Sequence, residues 1–248
     1  MTTSESERTG WSRSRGVTVL LLCVGGLFVG GIVGQVFTAA AASWAGYHGS
    51  LVTLSNLAEP PWWLIVSGLL GVWIGFGTTV AVVQHRFHAI APGAFAPRWS
   101  DVGYLALGVG LQIVVGVAYL PFHLKNLSGP THRLLGSASG WEFAALCVGT
   151  AVVAPVIEEL FFRGVLFPAL RSLFATRSAR ITLTLAVVVD GVLFALAHFE
   201  LLQLPGLAFV GAVLAYVYWR TQRLIPSMLV HASFNTVVVI TLISQRAH

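Results

Sequence analysis

Uncharged apolar runs, separated by short polar or basic punctuation, set the pattern of this 248-residue chain. The first begins at Gly16 and passes Ala42 without a charge. Six more cover roughly residues 62–84, 102–122, 141–163, 181–199, 206–219 and 225–243. A helix needs ~20 apolar residues to cross hydrocarbon, and in lipid only helices and closed barrels satisfy every backbone N–H and C=O. The pattern predicts an all-α fold, a polytopic transmembrane helix bundle of about seven spans with its site within the bundle. Ala39–Ala42 resembles a signal-peptidase site, but the apolar stretch before it exceeds the ~15 residues of a signal h-region, so the first run reads as a retained helix.

Basic residues orient these runs. Ten arginines between Arg8 and Arg223 fall on the N-terminal side of the membrane, against Lys125, Arg133 and Arg246 on the other; Arg163, near the inner boundary, completes the 14. This bias expects a cytoplasmic N-terminus. Composition agrees with a membrane protein: 56% of residues are apolar and 9% charged, against about 25% charged in soluble domains, and the mean hydropathy is +0.82. The net charge of +5 comes from cations scattered singly at run ends, which marks topology and argues against nucleic acid. Cys23 and Cys147 lie inside apolar runs without a CxxC, as buried thiols do. The expected organisation is a disordered cytoplasmic tail over 1–15, N-terminal transmembrane helices over 16–140 and a core of further transmembrane helices over 141–243.

Charge interrupts the fourth run, at Glu158, Glu159 and Arg163. Each ionisable group at bilayer depth costs roughly 2.5–3.5 kcal/mol on insertion scales, so three within six residues must be paired, hydrated or used. Glu159 and Arg163 stand four apart on one helix face, whereas Glu158 points about 100° away. Pairing therefore takes Glu159 and leaves Glu158 as a candidate general base. Two other runs carry imidazoles: the fifth ends in Phe194-Ala-Leu-Ala-His198, and the seventh holds His231-Ala-Ser-Phe-Asn235, again at an i, i+4 spacing. A lone intramembrane histidine is more often a packing residue than a catalyst, but Glu, Glu, Arg, His, His and Asn make up most of this chain's intramembrane polarity.

Such a set suits activation of water. Glu158 would take a proton from a water oriented by His198, His231 and Asn235 would hold the oxyanion, and Glu159 with Arg163 would support them. Two histidines and a carboxylate also suit zinc, although the helical H-E-x-x-H arrangement is missing, so metal use stays open. Buried Glu, His and Arg also build proton relays, which keeps a proton-coupled transporter as an alternative, yet no repeat is visible.

Glu158-Glu159-x-x-x-Arg163, Phe194-x-x-x-His198 and His231-x-x-x-Asn235, in this order on three apolar runs, resemble the CPBP family of intramembrane proteases. That family contains the Rce1-type CAAX prenyl endopeptidases and the Abi proteins linked to bacteriocin self-immunity. The resemblance covers about 141–243, and each motif is weak alone but specific in combination. It implies an endopeptidase that cuts a membrane-anchored or lipidated, CAAX-type protein by glutamate-activated water. Glu158 matches the base, His198 and His231 the water and oxyanion ligands, Asn235 the accompanying donor, and Glu159 and Arg163 supporting positions. The family has been described both as metalloprotease and as glutamate-type protease; a bound Zn²⁺ would be held by Glu158, His198 and His231. The implied partners are membrane lipid and a membrane-anchored substrate, the implied location a bacterial plasma membrane, and the alternative a non-catalytic immunity or scaffold protein with the same fold.

Three further expectations concern neighbouring residues. Asp190, eight residues before His198, is expected to bond a neighbouring helix rather than orient a histidine. Residues 164–174 are expected to bend along the cytoplasmic interface. Counting from the cytoplasmic ends of the runs sets Glu158 and His231 at about 8–9 Å depth and His198 near 25 Å.

Overall fold

The computed structural model describes residues 11–57, 59–122, 135–175 and 178–246. Residues 1–10 of the expected tail, the outer-loop cations Lys125 and Arg133, and Arg177 lie outside the described residues. Eight helices occur among the described residues: α1 (Arg13–Trp44), α2 (Leu51–Ser55), α3 (Trp62–Phe87), α4 (Gly103–Tyr119), α5 (Gly140–Leu173), α6 (Ala179–Leu196), α7 (Leu204–Thr221) and α8 (Leu224–Arg246). Short 3₁₀ turns at Pro92–Phe95 and Trp99–Val102 lead into α4. Six of the helices, α1, α3, α4 with its flanking turns, α5, α6 and α8, are long and apolar enough to cross a membrane. The expected 206–219 run lies inside α7, whose last turns carry Tyr216, Tyr218, Trp219 and Arg220. The result is a multi-pass helical bundle.

Between lipid-facing helices the hydrophobic effect offers little, so close backbone contact does the joining. Gly26, Gly30 and Gly34 of α1 meet Gly71 and Gly75 of α3 at four-residue spacing; a Cβ on Gly75 would stand 2.4 Å from the Gly26 carbonyl oxygen, and one on Gly71 2.5 Å from Gly34 Cα. The α6–α7 crossing is equally close, because a Cβ on Gly191 would stand 2.5 Å from the Ala208 carbonyl oxygen. Beneath these crossings an aromatic cluster fills the centre: Phe76 of α3 stacks on Phe161 at 4.0 Å, and Phe162 meets Phe194 edge-on at 5.2 Å.

Helix α5 departs from expectation in two ways. It continues to Leu173, and residues 162–167, 169 and 170 are buried, so 164–174 does not run along an interface. Apart from Arg163 those residues are apolar, and they find partners inside the bundle, such as Phe167 against Tyr218 of α7. Two π turns, Gly149–Val153 and Phe162–Leu166, also widen the helix, and each is followed two residues on by a proline, Pro155 and Pro168. A proline has no N–H to give to the ladder, and a π turn is where such a loss is absorbed.

The longer α5 removes the depth mismatch. Glu158 stands 15 residues before Leu173, about 22 Å at 1.5 Å per residue, and the 18 residues of α6 carry the chain about 27 Å to His198. Leu224 packs beside Gly164, so α8 starts well above the end of α5 and brings His231 to the same layer. The start of α8 is held by Arg223, which donates to both Asp101 carboxylate oxygens at 2.6 Å and to the Ala96 carbonyl at 2.9 Å. Hydrogen bonding to Asp101 raises the Arg223 guanidinium above its already high ordinary pKa.

Candidate active site

Between its two π turns α5 presents Glu158, Glu159 and Arg163, and the i, i+4 pair forms as the spacing requires: Arg163 Nη1 donates to Glu159 Oε1 at 2.8 Å with both side chains fully buried. A buried guanidinium has five N–H groups to satisfy. Arg163 Nη2 donates to the Gly211 carbonyl of α7 at 2.8 Å, and Nε faces Asp190 Oδ2 of α6 at 3.5 Å. The α6–α7 glycine contact allows this, since it lets the α7 backbone approach the cation. Asp190 thus joins α6 to α5 and does not touch a histidine. Phe194 lies under the cluster, with its ring 4.7 Å from His198, 5.3 Å from His231 and 4.8 Å from the Arg163 guanidinium carbon.

Glu159 serves two partners. Its Oε1 also lies 3.0 Å from His231 Nδ1, and a carboxylate that accepts from arginine can only accept again, so Nδ1 of His231 carries the proton. His198 Nδ1 lies 2.8 Å from the Phe194 carbonyl, again an acceptor, which fixes the same tautomer. His198 sits just past the end of α6, one residue beyond the C-cap Ala197, and the following Phe199 takes a left-handed φ of 54° that turns the chain away from the helix. Both rings consequently turn Nε2 towards Glu158. His198 Nε2 stands 3.9 Å and His231 Nε2 3.8 Å from Glu158 Oε2, which has no protein donor among the described residues. With neutral imidazoles, three acceptors converge from three helices. Such a point attracts a species that brings its own protons, and separations beyond 3.5 Å leave room for one water between the groups. The Glu158 and His198 side chains remain 15% and 31% exposed, against 2% for His231, so access is from the His198 side.

The same three residues are the set that the sequence offers to a metal. Among the described residues no three His, Cys, Asp or Glu side chains gather tightly enough to hold one. Asn235 shares α8 with His231, and one of the two N–H groups on its Nδ2 is given to the Thr150 carbonyl of α5 at 2.9 Å. The structure therefore brings together Glu158, Glu159, Arg163, His198 and His231, and attaches Asn235 to the first π turn. Two participants escape the sequence reading, the Gly211 and Thr150 carbonyls, which as backbone groups carry no signal; Phe194 stood in its motif at i, i+4 from His198, without its part beneath the cluster.

Comparison with known proteins matches residues 140–237 to the family model described as type II CAAX prenyl endopeptidase Rce1-like. Two curated proteins are similar. YdiL of Bacillus subtilis, named as a membrane peptidase, is 25% identical over 142 residues, 57% of this chain and 54% of that protein. The membrane-embedded CAAX protease MroQ of Staphylococcus aureus is 27% identical over 151 residues, 60% of this chain and 59% of that protein. The chain thus matches little more than half the length of either relative. No solved structure matches it.

Proposed function

We propose that this chain, whose residues 140–237 match the Rce1-like CAAX protease family model, is an intramembrane endopeptidase that hydrolyses a peptide bond in a membrane-anchored or lipidated protein. The observation that carries the reading is the convergence of His198 Nε2 and His231 Nε2 on Glu158 Oε2 at 3.9 and 3.8 Å. Glu158 takes a proton from a water that His198 Nε2 orients by accepting its second hydrogen, and the hydroxide formed attacks the substrate carbonyl. His231, held by its Nδ1–H on Glu159, turns Nε2 towards the reacting carbonyl and donates to the developing oxyanion when that nitrogen carries a proton. Protonated Glu158 then passes its proton to the departing amine. Arg163 and Glu159 hold His231 in orientation and do not touch the reacting atoms. The bias of basic residues supports a cytoplasmic N-terminus, and the bacterial relatives support a plasma-membrane location.

The reading is tested with purified protein in nanodiscs and a reporter set of lipidated and transmembrane peptides. Wild type is expected to cut at least one of them, and Glu158→Gln to lose at least 10³-fold, since a base that also returns the proton serves two steps, each worth about 10²–10⁴-fold. Equal activity of the two proteins would sink the assignment of Glu158, and failure of the wild type on the whole set would favour the non-catalytic scaffold. A chelator arm, read on the wild type, decides whether a metal takes part.

A further inference from the structure

The structure assigns Gln112 of α4 as a substrate-binding residue that accepts a backbone N–H of the peptide beside the scissile bond, an assignment that rests on the proposed hydrolysis at Glu158 and deepens it. Gln112 stands near the middle of the Trp99–Phe122 span, and its Oε1 is buried with no hydrogen-bond partner among the described residues. A buried amide oxygen left unpaired is destabilising, and neither lipid nor an apolar neighbour relieves it. The oxygen therefore suits a partner that the fold itself does not contain.

Neighbours on the same helix face fix where that oxygen stands. Gly108, Gln112, Val115 and Tyr119 follow one another at the three- and four-residue spacings of a single face. A Cβ on Gly108 would stand 2.1 Å from the Val230 carbonyl oxygen and 3.0 Å from the Phe234 nitrogen, so this part of α4 lies on the α8 turn that carries His231. One turn further on, a Cβ on Gly206 would meet Val115 at 3.0 Å and Tyr119 at 2.9 Å, and the Tyr119 hydroxyl accepts from the Gly206 N–H at 3.0 Å. Gln112 is thus bracketed by the turn of His231 and by the first turn of α7, to which the chain runs directly from His198. That connection is the open side of the site: its Phe199 and Leu201 are 88% and 83% exposed.

A peptide that enters there presents a need that Gln112 meets. Its carbonyl is open to attack only when the local backbone leaves any helical ladder, which strips N–H and C=O groups of their partners at a depth where water is scarce. Affinity then comes from groups that pair with the freed backbone as a neighbouring strand would. A carboxamide carries an acceptor and donors together, as a peptide unit does, and brings no charge into the span.

The test uses the full chain in nanodiscs and the reporter peptide that the wild type cuts fastest. That peptide is remade as a series in which one backbone amide at a time, on either side of the cleaved bond, becomes an ester and so loses its N–H. Gln112→Leu is expected to lower kcat/KM about fivefold to tenfold, the worth of one buried hydrogen bond, with most of the loss in KM. Its thermal midpoint is expected to equal or exceed that of the wild type, because no internal bond is broken. One ester of the series is expected to cost the wild type a similar factor and Gln112→Leu no more than about twofold. Equal losses in the two proteins at every ester, or an unchanged kcat/KM in Gln112→Leu, would overturn the assignment. So would a lowered thermal midpoint or a failure to accumulate, either of which makes the amide a structural group. The same pattern is expected in the Kd of the peptides for Glu158→Gln with and without Gln112→Leu. That arm needs no cleavage, so an error about the base, seen as an active Glu158→Gln, is distinguishable from an error about Gln112.

Discussion

Arg163 is a cation with no exposed surface, held by one carboxylate of its own helix, one backbone carbonyl, one carboxylate of α6 and the face of Phe194. Removing one member of such a pair leaves an uncompensated buried charge, which typically costs about 3–5 kcal/mol, whereas removing both together costs much less. Glu159→Gln is accordingly expected to lower the thermal midpoint in detergent by many degrees, and Glu159→Gln with Arg163→Met to recover a large part of the loss. Additive losses in that cycle would mean the two side chains do not depend on each other. The pairing was legible in the sequence because an i, i+4 spacing fixes a helix face whatever the tertiary structure. The second and third partners were not, since the Gly211 carbonyl has no side-chain signature and the reach to Asp190 depends on how α5 and α6 pack.

At the scale of elements, glycine contacts decide whether the site residues meet. Gly191 is next to Asp190, and its missing Cβ admits the α7 backbone that carries the Gly211 carbonyl. Gly191→Ala should push α6 from α7, loosen Arg163 and lower both cleavage and thermal midpoint, while Gly110→Ala, which meets nothing within 4 Å, should change neither. Equal behaviour of the two variants in a thermal melt would remove the crossing from the account. The seven apolar runs foreshadowed the helices well, yet not the extent of α5. Residues 164–170 are apolar whether they face lipid or a neighbouring helix, so hydropathy could not say where the helix ends, and Pro155 and Pro168 hint at irregularity without revealing a π turn. That hidden extension displaced Glu158 by some ten residues on the depth ruler and made His198 look remote.

Taken as a molecule, the chain divides its labour. The Glu158 cluster draws on α5, α6, α7 and α8, within the stretch that matches the family, whereas α1, α3 and α4 wall it in. The Asp101–Arg223 pair crosses that division, tying the segment before α4 to the turn from which α8 rises towards His231. Asp101→Asn is expected to cost about 2 kcal/mol in stability, the worth of hydrogen bonds to a charged group, and to lower cleavage because His231 loses its anchorage; an unchanged thermal melt would refute it. The three motifs could indicate the core because they carry charge where charge is costly, but nothing in the apolar code of α1 and α3 announced how they wrap it. The self-contained Glu159–Arg163 bond has a consequence for how the protein is made. Synthesis delivers α5 to the membrane before α6 and α8 exist, and a helix whose mid-span arginine is already neutralised by its own glutamate enters with Glu158 as the uncompensated charge between its two π turns. Asp190, which follows on α6, finds its counter-ion waiting. The order of the genes' codons thus matches the order in which the charges need company.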